Sequence, residues 1–299
     1  MKAPEPAKRR RIHQYERNKT GYSSQREDSD VNTDVLNAAA VEAGLETAWA
    51  GRPCVYWDVV DSTNLVAKQM AAQGAPHGLL VIAGQQTAGR GRRGRAWETA
   101  QDENIMMTLL LRPRLAGEAI PQLSLVCAIA VARGIQAATG LDARIKWPND
   151  VIVRGKKVCG MLLEMTAKDG AVDSVVAGIG INVHQRAFPQ AFAQTASSLD
   201  LLGEAYFSRA AIVRAFLHAF EARYDLLARE GMDALMAEYR ALSATLGSEV
   251  RVIGTDGEFT GRALDMDETG ALIVALPDGE RRTVMAGDVS VRGLMGYAG

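Results

Sequence analysis

The chain has 299 residues, 47% hydrophobic and 23% charged, with 34 basic against 35 acidic residues and a formal net charge of −1. That length can bury a sizeable core in one large domain or two, and the balanced charge excludes a global basic field that would draw the protein to nucleic acid or anionic membrane. No apolar run approaches the ~18 residues of a membrane span, and the three cysteines, Cys54, Cys127 and Cys159, lack CxxC or Cys/His metal spacing, which suits a reduced cytoplasm and gives no metal signal.

Residues 1–34 are polar, carry KRRR at 8–11, and read as a disordered tail. One short amphipathic helix is expected within 35–49. The strand VYWDVV (55–60) leads into a helix over about 63–73, opened by the polar cluster Asp61-Ser62-Thr63-Asn64 and closed by Gly74. LLVIAG (79–84) and NIMMTLLLR (104–112) are apolar segments of strand length. Pro121 opens a long packing helix to about Ala138, which Gly140 closes. Short strands follow at RIKW (144–147), DVIV (150–153), VCGMLLEM (158–165) and VDSVVAGIGIN (172–182), then helices over about 208–230 and 232–242. Several direct strand-to-strand turns predict a mixed sheet rather than a doubly wound parallel one. After Gly247 the pattern changes to five period-two segments with Gly/Asp turns, EVRVIG, GEFTGRALDMD, GALIVAL, ERRTVMA and DVSVR, which predict a small barrel.

Between the first two apolar strand segments lies GQQTAGRGRRGRAW (84–97), with four arginines and four glycines. Glycine lets backbone N–H groups close on a ligand, and arginine supplies planar forks of donors that fit phosphate. The spacing is neither a Walker A loop nor a dinucleotide fingerprint. A solvated loop or an RGG-like RNA segment is the alternative, but flanking strands rather than low complexity argue for an anion-wrapping loop.

Three further blocks, DSTN (61–64), KWPNDVIVRGKKVCGMLLEM (146–165) and VAGIGINV (176–183), stand with this loop in an order and spacing that resemble the biotin protein ligases. The terminal GDVSVR (287–292) extends the resemblance over about 55–292. It implies an α+β fold: a mixed-sheet catalytic domain of the biotin/lipoate ligase type over 35–244 and a C-terminal SH3-like barrel over 245–299. Some members carry an N-terminal winged helix, which needs two helices and a hairpin. With one helix expected before residue 50, the chain resembles the short type without it, and no DNA partner is expected. Pairing of family members through the central sheet leaves a homodimer open.

By the same resemblance ATP and biotin are the substrates, Mg2+ travels with the nucleotide, no metal is held by dedicated ligands, and the acceptor is a lysine in the biotin carboxyl carrier domain of a carboxylase. Arg92 and Lys157 are expected at the α-phosphate and reacting carboxylate, and Asp150 near the acceptor lysine. Ser62, Thr63, Asn64, Gln86, Arg90, Gly91 and Gly160, with Arg92 and Lys157, are expected around biotin. Arg95, Trp97, Asn149 and Asn182 are expected at the nucleotide. The Ser/Thr/Asn set also suits helix capping, Cys159 suits a buried strand thiol, and Lys157 alone suits a surface turn. Three rival readings conflict with the sequence. A lipoate or octanoate ligase would show an RRxSGGG-like block that is missing here; a nucleic-acid regulator conflicts with the near-neutral charge; a catalytically silent binding module conflicts with the presence of Arg92, Lys157, Asp150 and KWPND.

Overall fold

The computed structural model describes residues 34–94, 97, 101–115, 120–254, 257–267, 269–285 and 288–291. Residues 1–33 of the expected tail, Arg95, and the outer residues Gly287 and Arg292 of the terminal strand motif lie outside this set; Asp34, the last residue assigned to the tail, is instead held by Arg209 and His184. The elements run α1 (Ala38–Glu42), β1 (Cys54–Val60), α2 (Thr63–Ala72), β2 (Leu80–Gln86), a 3-10 turn (Arg92–Gly94), β3 (Ile105–Leu111), α3 (Leu123–Thr139), β4 (Ala143–Lys146), β5 (Asp150–Val153), β6 (Lys156–Lys168) and β7 (Ala171–Ile181). There follow α4 (Leu199–Gly203), α5 (Arg209–Glu230), α6 (Asp233–Leu242), and strands β8 (Glu249–Gly254), β9 (Gly257–Met266), β10 (Leu272–Ala275), β11 (Arg281–Val284) and β12 (Asp288–Val291).

The first seven strands form one sheet in the order β1-β2-β3-β7-β6-β5-β4, with β1 and β2 parallel and every other neighbour antiparallel. It is the mixed sheet that the turn pattern predicts. Alternation along each strand sends successive side chains to opposite faces. Ile105, Met107 and Leu109 of β3 and Ala177, Ile179 and Ile181 of β7 join the large core that contains α3 and α5. Val81, Leu110 and Val176 point the other way and pack beneath Ala67 and Ala71 of α2. Helix α2 is too short to cover that whole face, and the uncovered part is the glycine-bearing end of β6 and β7. The last five strands form a second, antiparallel sheet in the order β11-β10-β9-β8-β12, as expected for the SH3-like module.

Helix α1 is shorter than the 35–49 segment expected to hold it. The chain beyond it is held by tertiary bonds: Ala48, Trp49 and Ala50 donate their backbone N–H groups to the Glu221 carboxylate on α5 at 2.8, 2.7 and 2.8 Å. A carboxylate gathering three amides outweighs one more helical turn. The five-residue α4 is absent from the sequence reading because it is a single turn ordered by its surroundings. Leu199 and Asp200 donate their N–H groups to the Asn182 and Val183 carbonyls, each at 3.0 Å.

Helices α3 and α5 cross at Gly134, where an added Cβ would sit 2.8 Å from both the Cα and the backbone N of Phe216. Gly134→Ala should force the helices apart and cost about 1 to 3 kcal/mol despite the higher helix propensity of alanine. A thermal melt that shows an unchanged or raised Tm would contradict this account of the packing.

Candidate active site

The open part of the sheet is the floor of a cleft of about 640 Å3. Its walls are the start of α2, the end of β2, the basic loop, the turn between β4 and β5, the segment 182–198 after β7, and strands β8 and β12 of the second sheet. Every sequence-predicted site residue that the structure describes lines this cleft.

At one end the side chains are neutral and polar. Ser62 occupies the N-cap position of α2 but makes no side-chain capping bond. The Gln86 side-chain carbonyl takes over that function, accepting from Thr63 N at 2.8 Å and lying 3.1 Å from Thr63 Oγ1. Asn64 is committed within the protein: Nδ2 donates to Leu162 O at 3.2 Å and Glu164 Oε2 at 2.7 Å. The capping reading of the DSTN cluster is therefore replaced by a cap supplied from β2, because Gln86 reaches the first turn of α2 through the tertiary fold.

At the other end the cleft is cationic. Arg92, Lys146 and Lys157 gather there around Asn149 and Asp150, the single acidic residue among the described lining residues; Arg251 enters from β8, and Arg90 lies toward Glu164, whose carboxylate its charge helps to hold below 4.5. Arg92 donates to Asn149 Oδ1 at 3.1 Å, while Asn149 Nδ2 donates to Met161 O at 2.7 Å, so the strand backbone fixes the amide that orients the guanidinium. Lys157 Nζ lies 2.7 Å from Asp150 Oδ1, and Lys146 Nζ lies 4.0 Å from Asp150 Oδ2. The Lys157 backbone is clamped on both sides, since its N–H donates to Thr195 O at 2.9 Å and its carbonyl accepts from Ser197 N at 3.0 Å. This places Lys157 in the cleft wall rather than in a free surface turn.

Between the two ends Gly160 and Gly180 face each other across β6 and β7. The Trp97 ring lies on them: a Cβ at Gly180 would come 2.5 Å from the indole, and one at Gly160 would come 3.0 Å from it. Lys157 Nζ stands 5.7 Å from the centroid of that ring. Trp97 N donates to Gly89 O at 2.9 Å, closing the basic loop on itself. Cys159, beside this floor, is fully buried and its thiol is pushed up by burial, which removes it as a nucleophile at neutral pH.

Asn182 is reached through the segment after β7. Its Nδ2 donates to Ser197 O at 3.1 Å, and its neighbour Val183 N donates to the buried Asn104 Oδ1 at 2.9 Å. His184 then anchors the segment between two carboxylates, with Nδ1 2.7 Å from Asp200 and Nε2 3.1 Å from Asp34. Arg209 Nε also donates to Asp34, at 2.7 Å.

Sequence reasoning assigned no role to Lys146, although it opens the KWPND block, nor to the buried Thr108 beneath α2. Nor did it find Arg251, Ile253, Val289 and Ser290, which come from the second sheet. A motif start was the signal for Lys146. No local signal exists for the others, because strands distant in sequence deliver them.

A cleft that joins a fixed cationic end to a neutral polar pocket over a glycine floor, on a mixed sheet with an appended small β domain, defines a class of nucleotide-using ligase domain. Comparison with known proteins places the chain within that class. The biotin/lipoate A/B protein ligase family matches residues 56–182, and the biotin protein ligase C terminal domain matches residues 245–292. The bifunctional ligase/repressor BirA of Bacillus spizizenii is 37% identical over 253 residues, covering 84% of this chain and 78% of the relative. A biotin–acetyl-CoA-carboxylase ligase of Mycobacterium tuberculosis is 38% identical over 234 residues, covering 76% and 85%. The solved biotin protein ligase from Aquifex aeolicus, in complex with biotin and ATP, superposes with a TM-score of 0.70 at 27% identity over 80% of this chain and 98% of that one. The chain belongs to the biotin protein ligase family.

The His184 anchor makes a pH prediction. Burial alone would lower the His184 pKa, but hydrogen bonds to Asp34 and Asp200 outweigh it and hold the value above the ordinary 6.5. Burial would likewise raise Asp34, yet hydrogen bonds from His184 and Arg209 hold it below 3.8. The His184 contribution to stability is therefore complete below about pH 6.5 and lost as pH rises through the higher folded value. The Asp34 contribution is present above about pH 4 and lost as pH falls through its folded value. Tm should decline on the alkaline side of 6.5 in the natural chain, and His184→Gln should remove that decline. A parallel alkaline slope in both proteins would contradict the assignment.

Proposed function

We infer that the chain is an ATP-dependent ligase that activates biotin and attaches it to a lysine of the biotin carboxyl carrier domain of acetyl-CoA carboxylase. The observation that carries this reading is the joining, in one cleft, of the neutral polar end at Ser62, Thr63 and Gln86 to the cationic end at Arg92 and Lys157. Biotin has both characters, a fused ureido ring on an apolar bicycle and a carboxylate on a flexible arm. A neutral pocket with a few fixed hydrogen-bonding groups suits the ring, and fixed cations suit the carboxylate and the α-phosphate.

In the first step a biotin carboxylate oxygen bonds to the α-phosphorus of ATP, the bond to the bridging oxygen breaks, and pyrophosphate leaves. Arg92 and Lys157 stabilise the charge that grows on the phosphoryl oxygens, and they do so most strongly at the transition state. Mg2+ enters as part of the nucleotide substrate. In the second step the neutral amine of the acceptor lysine attacks the acyl carbon of biotinyl-5′-AMP. The acyl–oxygen bond breaks, AMP leaves, and the amine proton passes to solvent. Asp150 positions the incoming amine; a carboxylate stabilises an ammonium, so it orients the lysine rather than lowering its pKa. Trp97 and Asn182 bound the nucleotide, and the basic loop over the ligand retains the activated intermediate.

Three cysteines, all free and buried, support a reducing cytoplasmic setting. Among the described residues no helix is long and apolar enough to cross a membrane.

The direct test is ATP–pyrophosphate exchange with biotin, lipoate or neither, followed by labelling of a carrier domain. Biotin-dependent exchange followed by carrier labelling is expected; exchange with lipoate alone would overturn the reading. Lys157→Ala should slow biotin-dependent exchange about ten- to a hundredfold, the loss of one charge-assisted bond, with Tm little changed. Arg92→Gly should release biotinyl-AMP and label bystander lysines, whereas unchanged retention of the intermediate would remove Arg92 from this role.

A further inference from the structure

Thr108, in the middle of β3, is fully buried, and no part of the mechanism above uses it. Its hydroxyl oxygen lies 2.8 Å from Thr63 Oγ1 and 2.7 Å from Asn64 Oδ1. It sits opposite Gly178 on β7, where an added Cβ would come within 2.3 Å of Asn64 Oδ1, so the missing side chain is what lets the amide reach down to Thr108.

The proton positions in this group follow from which atoms can donate. Glu164 accepts from Lys68 Nζ at 2.6 Å and from Asn64 Nδ2 at 2.7 Å. Burial raises the Glu164 pKa, but these two hydrogen bonds outweigh it and hold the value below 4.5, so near neutral pH the group is a carboxylate and only accepts. The second Asn64 amide hydrogen meets Leu162 O, another pure acceptor. The amide orientation is thereby fixed, with Oδ1 toward Thr108. A carbonyl oxygen cannot donate, so the single Thr108 proton goes to Asn64 Oδ1. The Thr108 oxygen then has no proton left for its 2.8 Å contact with Thr63 Oγ1, so the Thr63 proton fills that contact rather than the 3.1 Å one to Gln86 Oε1, which already accepts from Thr63 N. Each donor in the series Thr63, Thr108, Asn64 points away from the cleft and toward the Glu164 anion.

We propose that Thr108 is a positioning residue for biotin: with Asn64 and Glu164 it fixes the proton of Thr63 inward, so that the Thr63 oxygen offers lone pairs to a ureido N–H. The proposal rests on the reading that the neutral end of the cleft takes the ureido ring. Hydrogen bonds in series polarise one another, and the chain makes this subsite an acceptor before the ligand arrives. A ring carrying an N–H at that point is favoured over one carrying an acceptor, because two facing acceptors leave a buried polar group unpaired.

The test is biotin binding by isothermal titration calorimetry in the full chain, together with the KM for ATP. Thr108→Val keeps the side-chain shape and removes the hydroxyl; it should weaken biotin binding about tenfold while the ATP KM stays within twofold. Thr108→Ser should restore binding to near the natural value. Glu164→Gln, at a partly exposed position, should weaken biotin several-fold. The double variant Thr108→Val/Glu164→Gln should bind no more weakly than Thr108→Val alone, since both act through one chain. Thr63→Val separates the two levels of the argument. If it weakens biotin while Thr108→Val does not, the positioning role of Thr108 is overturned and the subsite stands. If neither change weakens biotin, the ureido subsite itself is misplaced. Losses that simply add in the double variant, or a matching rise in the ATP KM, would reduce Thr108 to a packing residue.

Discussion

The pairing register of β6 with β7 is the constraint on which the rest of the site depends. Gly160 stands opposite Gly180 and Leu162 opposite Gly178; one strand further out on each side, Asp150 pairs with Gly160, while Met106 and Thr108 pair with Gly180 and Gly178. A slip of one residue would turn every side chain of a strand to the other face. Ile179 and Ile181 would then enter the cleft and the glycines would enter the core. The same apolar alternation that buries Ala177, Ile179 and Ile181 against α3 therefore aims the glycines at the ligand side. Core formation and site formation are one event along this strand.

Charge is handled locally. The chain is close to neutral, yet five cationic side chains line a cleft whose described lining has one acidic residue, Asp150, while Arg251 is paired outside that lining with Glu258. They are placed by rigid elements. Asn149 orients Arg92 through an amide that the strand backbone fixes, and backbone bonds on both sides hold Lys157. Groups held this way have little reorganisation left to do when charge develops on a phosphoryl group. The neutral end works on the same principle with dipoles, since Gln86 caps α2 and Asn64 is locked by Glu164, so the ring subsite is set by bonds made on folding.

Most strands and the long helices were legible because their signals are local: period-two alternation, a proline near the start of α3, Gly140 after its end, and glycine turns in the C-terminal fifty residues. The site residues on the basic loop and on KWPND were legible because they sit in contiguous motifs. Helix α4 and the length of α1 were not, since the chain at their ends is held by Asn182, Val183 and Glu221, partners 17 to 173 residues away by sequence number. Thr108 reads in sequence as one more position in an apolar strand. Its environment exists only once Asn64 and Gly178 have met above it.

The sequence by itself determined the chemical inventory of this protein: an anion-wrapping loop, a set of glycines at strand spacing, the KWPND and GKK cations, and a β-rich C-terminal segment. These follow from residue type and short-range periodicity, which are properties of neighbouring residues. The tertiary structure decided which groups face one another: that Asp150 meets Lys157, that Trp97 lies on Gly160 and Gly180, that Gln86 rather than Ser62 caps α2, and that strands β8 and β12 complete the cleft wall. Those relations depend on strand order and register across the whole sheet, and non-local pairings of that kind are encoded by the folded chain as a unit rather than by any segment of it.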